Sequence, residues 1–327
     1  MAKQTGPFFS IVIPALNEEK YLPILLADLA NQTCRDFEVI VIDGSSTDRT
    51  VEKCKELEGK LPELNILTSK VRNVSVQRNI GGVSAKGQYI VFNDADNRLP
   101  QYFLEGLIYQ LHTNPIDLFT CWSISDTDKS NDKTIVTTFN MLLEASQLAG
   151  TPSAFGAMIG CKKSIYAKTG GFNPEIGFAE DTEFVRHAYK LGFSFKVFRD
   201  PRYVYSLRRF QKMGTVRMLQ KSALLNLKYL TGQKVNQKIE YPMGGEHFEK
   251  RAKKDTSPDF FKTIQIKMKK WGGKRKIADR IKALLSLEET KFLGRSAKLV
   301  GTANQQTLHK YLQVPFLPIF LVYVLTW

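Results

Sequence analysis

Short apolar runs alternate with amphipathic stretches along the first 120 residues of the chain. Runs rich in Val, Ile and Phe predict buried strands at residues 9–14, 37–43, 65–69, 88–93 and 116–122. The segments between them repeat apolar residues at helical spacing, which predicts helices at residues 22–29, 49–57, 75–85 and 101–111. Strands separated by helices form βαβ units, so we expect an α/β fold with a mainly parallel central sheet.

The pattern becomes less regular beyond residue 122. Residues 155–165 and 193–198 predict two further strands, and residues 180–191 predict a helix. A helix expected over residues 213–230 gathers its basic side chains on one narrow stripe, which is typical of a helix on a membrane surface or packed against a domain. Residues 261–271 fit a helix or a strand, because their apolar side chains satisfy both spacings.

The sequence ends in an apolar segment over residues 314–327. This segment is shorter than the ~20 residues that span a bilayer, so it predicts an interfacial or partly inserted segment, or one buried against the preceding domain. We therefore divide the chain into an α/β domain over residues 1–210, a basic and mostly helical extension over residues 211–310, and an apolar tail over residues 311–327.

The net charge of +15 is concentrated in one part of the chain. Residues 1–198 hold 20 Lys and Arg against 23 Asp and Glu, whereas residues 199–282 hold 23 against 7. A basic segment of this kind is expected to face an anionic partner, and we favour a membrane surface contacted through residues 199–282 and 311–327. Nucleic acid is not expected as a partner, because the segment lacks zinc-ligand spacing and aromatic residues interleaved regularly with its lysines.

The cysteines and the first residues indicate a cellular location. Residues 1–7 are short and polar, so no signal peptide is expected, and the predicted location is the cytoplasm, at the inner face of the cell membrane. Free thiols in a reducing compartment are predicted because the cysteines lie far apart and without C-x-x-C spacing. They are Cys34, Cys54, Cys121 and Cys161.

Acidic and polar residues follow three of the predicted strands. They are the Asn17-Glu18-Glu19 segment after the first strand, Asp43 after the second, and Asp94 and Asp96 after the fourth. In open parallel sheets the carboxyl ends of the strands form the ligand site. Carboxylates that converge there repel one another, and a cation relieves that cost. We therefore expect Asp94 and Asp96 to bind Mg²⁺ or Mn²⁺ together with substrate phosphates.

Several motifs occur in a fixed order along the chain. P-A-L-N-E-E lies at residues 14–19, V-I-D-G-S-S-T-D at 41–48, Q-R-N-I-G at 77–81 and N-D-A-D-N at 93–97, followed by G-G-F at 170–172 and E-D at 180–181. This ordered set resembles that of family 2 glycosyltransferases, over about residues 8–210. The resemblance implies the GT-A fold, a nucleotide-binding α/β sandwich, and inverting transfer of a sugar from a nucleotide diphosphate sugar.

The resemblance also implies roles for residues near the donor. Asp43 matches the aspartate that hydrogen-bonds the base, and Arg78 falls in a segment near the nucleotide and donor sugar. Asp96 would be the more direct metal ligand, and Asp94 would face the ribose or the sugar. The loop after the first strand would contact the nucleoside through Pro14, Ala15, Asn17 and Glu19.

Roles in catalysis follow in the same way. Asp181 matches the catalytic base, and Glu180 would orient the acceptor. Both residues also suit the first turn of a helix, where the dipole favours an ionised carboxylate. Arg208 and Arg209 lie where related enzymes often place basic residues near the diphosphate, although they also suit a surface that faces a membrane.

The identity of the donor and of the acceptor is less closely defined. A UDP-sugar is favoured because UDP is the commoner donor in this family, and GDP stays open. The Q-x-x-R-W signature of processive synthases is missing, which indicates transfer of one sugar per encounter. The glutamate–aspartate pair favours a hydroxyl acceptor on a glycan or a lipid-linked glycan. The alternative is polyprenyl phosphate, as in dolichol-phosphate mannosyltransferases, which also carry D-A-D.

Two other enzyme classes with nucleotide-binding α/β domains are not favoured. A dinucleotide-dependent oxidoreductase would carry G-x-G-x-x-G after the first strand, whereas here the pair Gly81-Gly82 lies within a predicted helix. A nucleotidyltransferase would carry a glycine-rich basic loop after the same strand, and that loop is missing from the sequence.

Overall fold

The computed structural model describes residues 6–215 and residue 218. Its strands are β1 (Phe9–Ala15), β2 (Phe37–Asp43), β3 (Leu64–Thr68), β4 (Tyr89–Asn93), β5 (Leu118–Ser125), β6 (Met158–Lys162) and β7 (Phe195–Tyr205). Its α-helices are α1 (Leu22–Ala30), α2 (Thr50–Lys55), α3 (Val74–Ser84), α4 (Phe103–Thr113), α5 (Ser130–Leu148), α6 (Lys163–Thr169), α7 (Glu180–Lys190) and α8 (Arg208–Met213). A short 3₁₀ turn spans Glu58–Lys60.

The strands form one sheet in the order β3-β2-β1-β4-β6-β5-β7. All run parallel except β6, which is antiparallel to both β4 and β5. The predicted α/β architecture with a mainly parallel sheet is thus confirmed. The reversed strand also has a consequence for the site. Met158 at the start of β6 pairs with Asn93 at the end of β4, so the loop before β6 reaches the carboxyl edge of the sheet.

The central strands are buried on both faces, which explains their uninterrupted apolar runs. Successive side chains of β1 point to opposite faces, so Ile11 and Ile13 enter one core and Val12 enters the other. The first core contains apolar residues of α1 and α4, and the second contains residues of α6 and α7. All four cysteines are free thiols, as predicted.

Some elements differ from the sequence-based expectation. The helix α5 was not predicted, because two of its four buried residues, Asp132 and Asn140, are polar. Asn140 replaces apolar packing with hydrogen bonds to the backbone of Ser123 in β5. The strand expected over residues 155–165 is confined to β6, since α6 begins at Lys163. The last strand, β7, continues to Tyr205, seven residues past the predicted end.

Most of the predicted extension over residues 211–310, and all of the tail over residues 311–327, lies outside the described residues. The division at these boundaries therefore stays a prediction. Within residues 6–215, none of the helices has the length and apolar character needed to cross a bilayer.

Gly160 in β6 tests the packing of the sheet. A Cβ atom at this position would overlap the ring of the buried Phe119. We expect Gly160→Ala to lower the free energy of unfolding by about 1–3 kcal/mol, because a packed core resists an inserted methyl group. Gly59→Ala is the control, since an added Cβ there meets no atom within 4 Å. Equal urea midpoints for the two variants would contradict this packing.

Candidate active site

The loops that follow β1 and β2 are held together by side chains of the first loop. The Asn17 Oδ1 atom accepts a hydrogen bond from the Thr47 amide at 2.7 Å, and a Glu19 carboxylate oxygen accepts one from the Arg49 amide at 3.1 Å. Asn17 has a φ of 54°, which asparagine adopts more readily than most residues. Both side chains shape this part of the edge. Their predicted contact with a nucleoside stays a prediction.

Pro14, Ala15 and Asp43 lie at the ends of the two neighbouring strands. Pro14 pairs with Ile42 and Ala15 with Asp43 across β1 and β2. Asp43 is buried, and its two carboxylate oxygens accept from the Ser46 amide at 3.3 and 3.1 Å. The carboxylate is therefore fixed at the carboxyl edge of the sheet, where its predicted role places a nucleotide base.

Arg78 is the most deeply buried charged side chain at this edge, with 2% of it exposed. It extends from α3 and donates to Glu180 Oε1 at 3.0 Å, to Asp94 Oδ1 at 3.1 Å and to the Gly156 carbonyl at 3.0 Å. Burial alone would lower the pKa of Arg78, but the negative charges around it outweigh that effect and hold the pKa above its usual value. Arg78 thus joins the end of β4 to the first turn of α7.

The ring of Phe172 packs against the Arg78 guanidinium, and Phe184 and Asn79 hold Phe172 in position. The guanidinium carbon lies 5.3 Å from the centroid of the Phe172 ring, and that ring stacks on Phe184 of α7 at 4.4 Å. Asn79 accepts from the Phe172 amide at 2.8 Å and donates to the Phe172 carbonyl at 2.7 Å. The Q-R-N-I-G and G-G-F motifs, which lie about 90 residues apart, therefore contact each other directly.

Asp181 lies in the first turn of α7, as predicted. The helix follows Ala179, whose φ of 61° is rare outside glycine and asparagine. The Gly156 amide donates to Asp181 Oδ2, and the Thr182 amide donates to Oδ1 at 2.6 Å. Burial and then the charge of Glu180 raise the pKa of Asp181, and Arg78 opposes them, so that the pKa lies at about 7. Such a carboxylate can exchange a proton near neutral pH.

A second arginine lies at the same edge. Arg208 forms a bidentate pair with Glu18 at 2.7 and 2.6 Å, and its Nε atom lies 2.7 Å from Asp96 Oδ2. Its guanidinium also stacks over the ring of Tyr21, with 4.6 Å to the centroid. Burial raises the pKa of Glu18 to about 7, although Arg208 acts in the opposite direction. The structure therefore brings Arg208 to the carboxylates of the D-x-D motif.

Sequence reasoning gave two residues of this arrangement no individual role. Glu18 was included only as part of the acidic segment Asn17-Glu18-Glu19 after the first strand, and Gly156 was not named. Gly156 left a weaker signal, as a glycine within the strand predicted over residues 155–165. The predicted Arg209 lies near Asp94, because its charge, after that of Arg78, opposes the rise that burial gives to the pKa of Asp94.

The residues that could bind a metal are few. Asp94 and Asp96 lie together beyond β4, and each carboxylate contacts an arginine, Arg78 and Arg208 respectively. The described part of the chain holds no group of three or more His, Cys, Asp or Glu side chains arranged for a metal. Mg²⁺ and Mn²⁺ are often bound by one or two carboxylates plus substrate phosphates. The pair fits that mode of binding, in which a diphosphate completes the ligand set.

Comparison with known proteins identifies the class of domain. The family model described as "Glycosyl transferase family 2" matches residues 10–170. An uncharacterized glycosyltransferase of Haemophilus influenzae is 27% identical over 186 residues, covering 54% of this chain and 60% of that protein. A PGL/p-HBAD biosynthesis glycosyltransferase of Mycobacterium bovis is 38% identical over 95 residues, covering 29% and 37%. These matches span less than two thirds of the relatives' lengths.

Solved structures show the same fold. TarS 1–349 of S. aureus, in complex with UDP-GlcNAc, superposes with a TM-score of 0.53 at 22% identity, covering 71% of this chain and 69% of TarS. The mannosyltransferase PcManGT from Pyrobaculum calidifontis, in complex with GDP-Man and Mn²⁺, gives 0.56 at 21% identity, covering 72% and 68%. The domain thus has the GT-A fold of glycosyltransferases. Residues 10–170 therefore form a domain of the glycosyltransferase family 2 type.

Replacing Arg78 tests the electrostatic arrangement of the site. We expect Arg78→Met to lower the free energy of unfolding at pH 8 by about 3–5 kcal/mol, because it leaves buried carboxylates without their cation. The loss should be smaller at pH 5, where those carboxylates are protonated more readily. Arg49→Met is the control, since Arg49 and its partner Glu52 are 61% and 59% exposed and solvent screening leaves such pairs little effect on stability. Equal losses in the two variants would contradict the arrangement.

Proposed function

We propose that the protein is an inverting glycosyltransferase that moves a sugar from a nucleotide diphosphate sugar, preferably a UDP-sugar, to a hydroxyl group of a glycan or lipid-linked acceptor. One observation carries the proposal. A single buried guanidinium, that of Arg78, contacts both Asp94 at the donor edge and Glu180 beside the candidate base Asp181. A donor at the edge and an acceptor at α7 would therefore lie within reach of each other.

Asp181 would act as the general base. Its carboxylate takes the proton from the acceptor hydroxyl as the oxygen forms a bond to the anomeric carbon, and the bond from that carbon to the diphosphate oxygen breaks. Attack from the side opposite the diphosphate inverts the anomeric centre. The amide groups of Gly156 and Thr182 fix both oxygens of the base, so that one orientation is maintained during proton transfer.

The departing diphosphate needs positive charge. Arg208 and Arg209 would supply part of it, because they lie at the carboxyl edge. However, carboxylates outnumber guanidinium groups at the site: Glu18, Asp94, Asp96, Glu180 and Asp181 face Arg78, Arg208 and Arg209. Mg²⁺ or Mn²⁺, held by Asp96 and Asp94, would supply the charge that stabilises the leaving diphosphate. The Mn²⁺ in the PcManGT complex supports this proposal.

Names of similar proteins support a role in glycan assembly. Besides the PGL/p-HBAD biosynthesis enzyme, the minor teichoic acid biosynthesis protein GgaB of Bacillus subtilis matches this chain at 34% identity over 116 residues, covering 34% of the chain and 13% of GgaB. The basic residues 199–282 and the apolar residues 311–327 would place the protein at the inner face of the cell membrane. This location would give access to a lipid-linked acceptor.

Nucleotide binding tests the donor site. We expect calorimetric titration to show binding of UDP in the presence of Mn²⁺ and binding at least about tenfold weaker in Asp96→Ala, because the mutation removes a metal carboxylate. Asp128→Ala is the control, since Asp128 is fully exposed and pairs with the exposed Lys133. Tighter binding of GDP than of UDP would indicate a GDP-sugar as the donor. Failure of either nucleotide to bind, with or without Mn²⁺, would contradict the proposed activity.

The pH dependence of turnover tests the base. The rate of UDP release from a UDP-sugar, with water or a glycan as acceptor, should rise with pH through about 7, because Asp181 accepts a proton only when it is ionised. Asp181→Asn should lower this rate at least about 100-fold and leave UDP affinity unchanged. Transfer to polyprenyl phosphate needs no base, so an unchanged transfer rate in Asp181→Asn would favour that alternative acceptor.

A further inference from the structure

Arg208 is held at the carboxyl edge by contacts that do not involve Asp96. Its two terminal nitrogens donate to Glu18, and its guanidinium stacks on Tyr21. The neighbouring Leu207 amide donates to Asp126 at 3.2 Å, and Phe210 packs against Phe139 with 5.9 Å between ring centroids. These contacts fix the start of α8. The guanidinium therefore has a defined place even without its contact to Asp96.

Arg208 forms an ion pair with Asp96. The Nε atom of Arg208 lies 2.7 Å from Asp96 Oδ2, and both side chains are largely buried, with 11% and 16% exposed. A divalent cation on the same carboxylate would lie about 4 Å from the guanidinium, where a double and a single positive charge repel by several kcal/mol even with an effective dielectric constant of about 20. Arg208 already supplies the charge that a cation would bring to Asp96.

Besides Asp96, Arg208 has a second carboxylate partner, Glu18, at a similar distance. Its carboxylate is almost fully buried and depends on Arg208 for its own charge compensation. A guanidinium that leaves Asp96 would give up that ion pair and keep the bidentate hydrogen bonds to Glu18, which are the stronger contact. The alternative partner makes the exchange at Asp96 feasible without unfolding α8.

We propose that Arg208 and the divalent cation are alternative counter-ions of Asp96, and that Glu18 is the positioning residue that retains Arg208 when the cation binds. This inference rests on the metal dependence in the proposed function. It assigns Glu18 a role through its bidentate pair with Arg208. It also implies that the nucleotide-free protein binds Mn²⁺ weakly, because the cation must first displace a fixed positive charge.

Mn²⁺ binding to the full chain without nucleotide tests the proposal, with free Mn²⁺ measured by electron paramagnetic resonance. We expect Arg208→Gln to bind Mn²⁺ about three- to tenfold more tightly than the wild type. The double variant Glu18→Gln with Arg208→Gln should do the same, and it avoids leaving a buried glutamate unpaired. Arg98→Gln is the matched control, since Arg98 lies two residues from Asp96 but pairs with Asp28 at 2.6 Å. This variant should bind Mn²⁺ like the wild type.

The outcomes distinguish a failure of the competition between Arg208 and Mn²⁺ from a failure of the metal site itself. Loss of Mn²⁺ binding in Asp96→Asn, together with unchanged or weaker binding in both Arg208 variants, would overturn the competition and leave the metal site in place. Equal Mn²⁺ binding by wild type and Asp96→Asn would overturn the metal site and this inference with it. Glu18→Gln alone, which weakens the hold on Arg208, should make Mn²⁺ bind more weakly than in the double variant.

Discussion

The arrangement of the site depends on one buried cation, the guanidinium of Arg78. Removing such a charge from water is costly, and the cost is offset only because carboxylates and a carbonyl group surround it. Its partners belong to parts of the chain far apart in sequence: the end of β4, the loop before β6 and the first turn of α7. Together with the contact between Gly156 and Asp181, Arg78 thus fixes the position of the helix that carries Asp181 relative to the end of β4.

The same site carries more carboxylates than arginines, and this excess has two consequences. Burial, helped by neighbouring negative charge, raises the pKa of Asp181 and of Glu18 to about 7, and such a pKa suits the role of base that we propose for Asp181. The excess also lowers stability. Because these groups hold protons more tightly in the folded than in the unfolded chain, the free energy of unfolding falls as pH rises from about 4 through about 7. A cation or a protonated group at the site relieves this cost.

Much of the fold could be predicted because buried parallel strands leave continuous apolar runs, as in β1, β2 and β4. The carboxyl edge could be predicted as well, since the polar segments at Asn17, Asp43 and Asp94 directly follow those strands. The role of Gly156 could not, because its contacts with Arg78 and Asp181 join residues 78 and 25 positions apart. The helix α5 was missed because two of its four buried residues are polar. One of them, Asn140, has its hydrogen-bond partner, Ser123, on β5.

A double-mutant cycle between Arg78 and Glu180 tests the central claim most directly. The free energy of unfolding at pH 8 would be measured for the wild type, Arg78→Met, Glu180→Gln and the double variant. If Arg78 joins the donor edge to the catalytic helix, Arg78→Met should cost less in the Glu180→Gln background, with a coupling energy of about 1–3 kcal/mol. Additive effects, within about 0.5 kcal/mol, would contradict the claim that this buried pair organises the site.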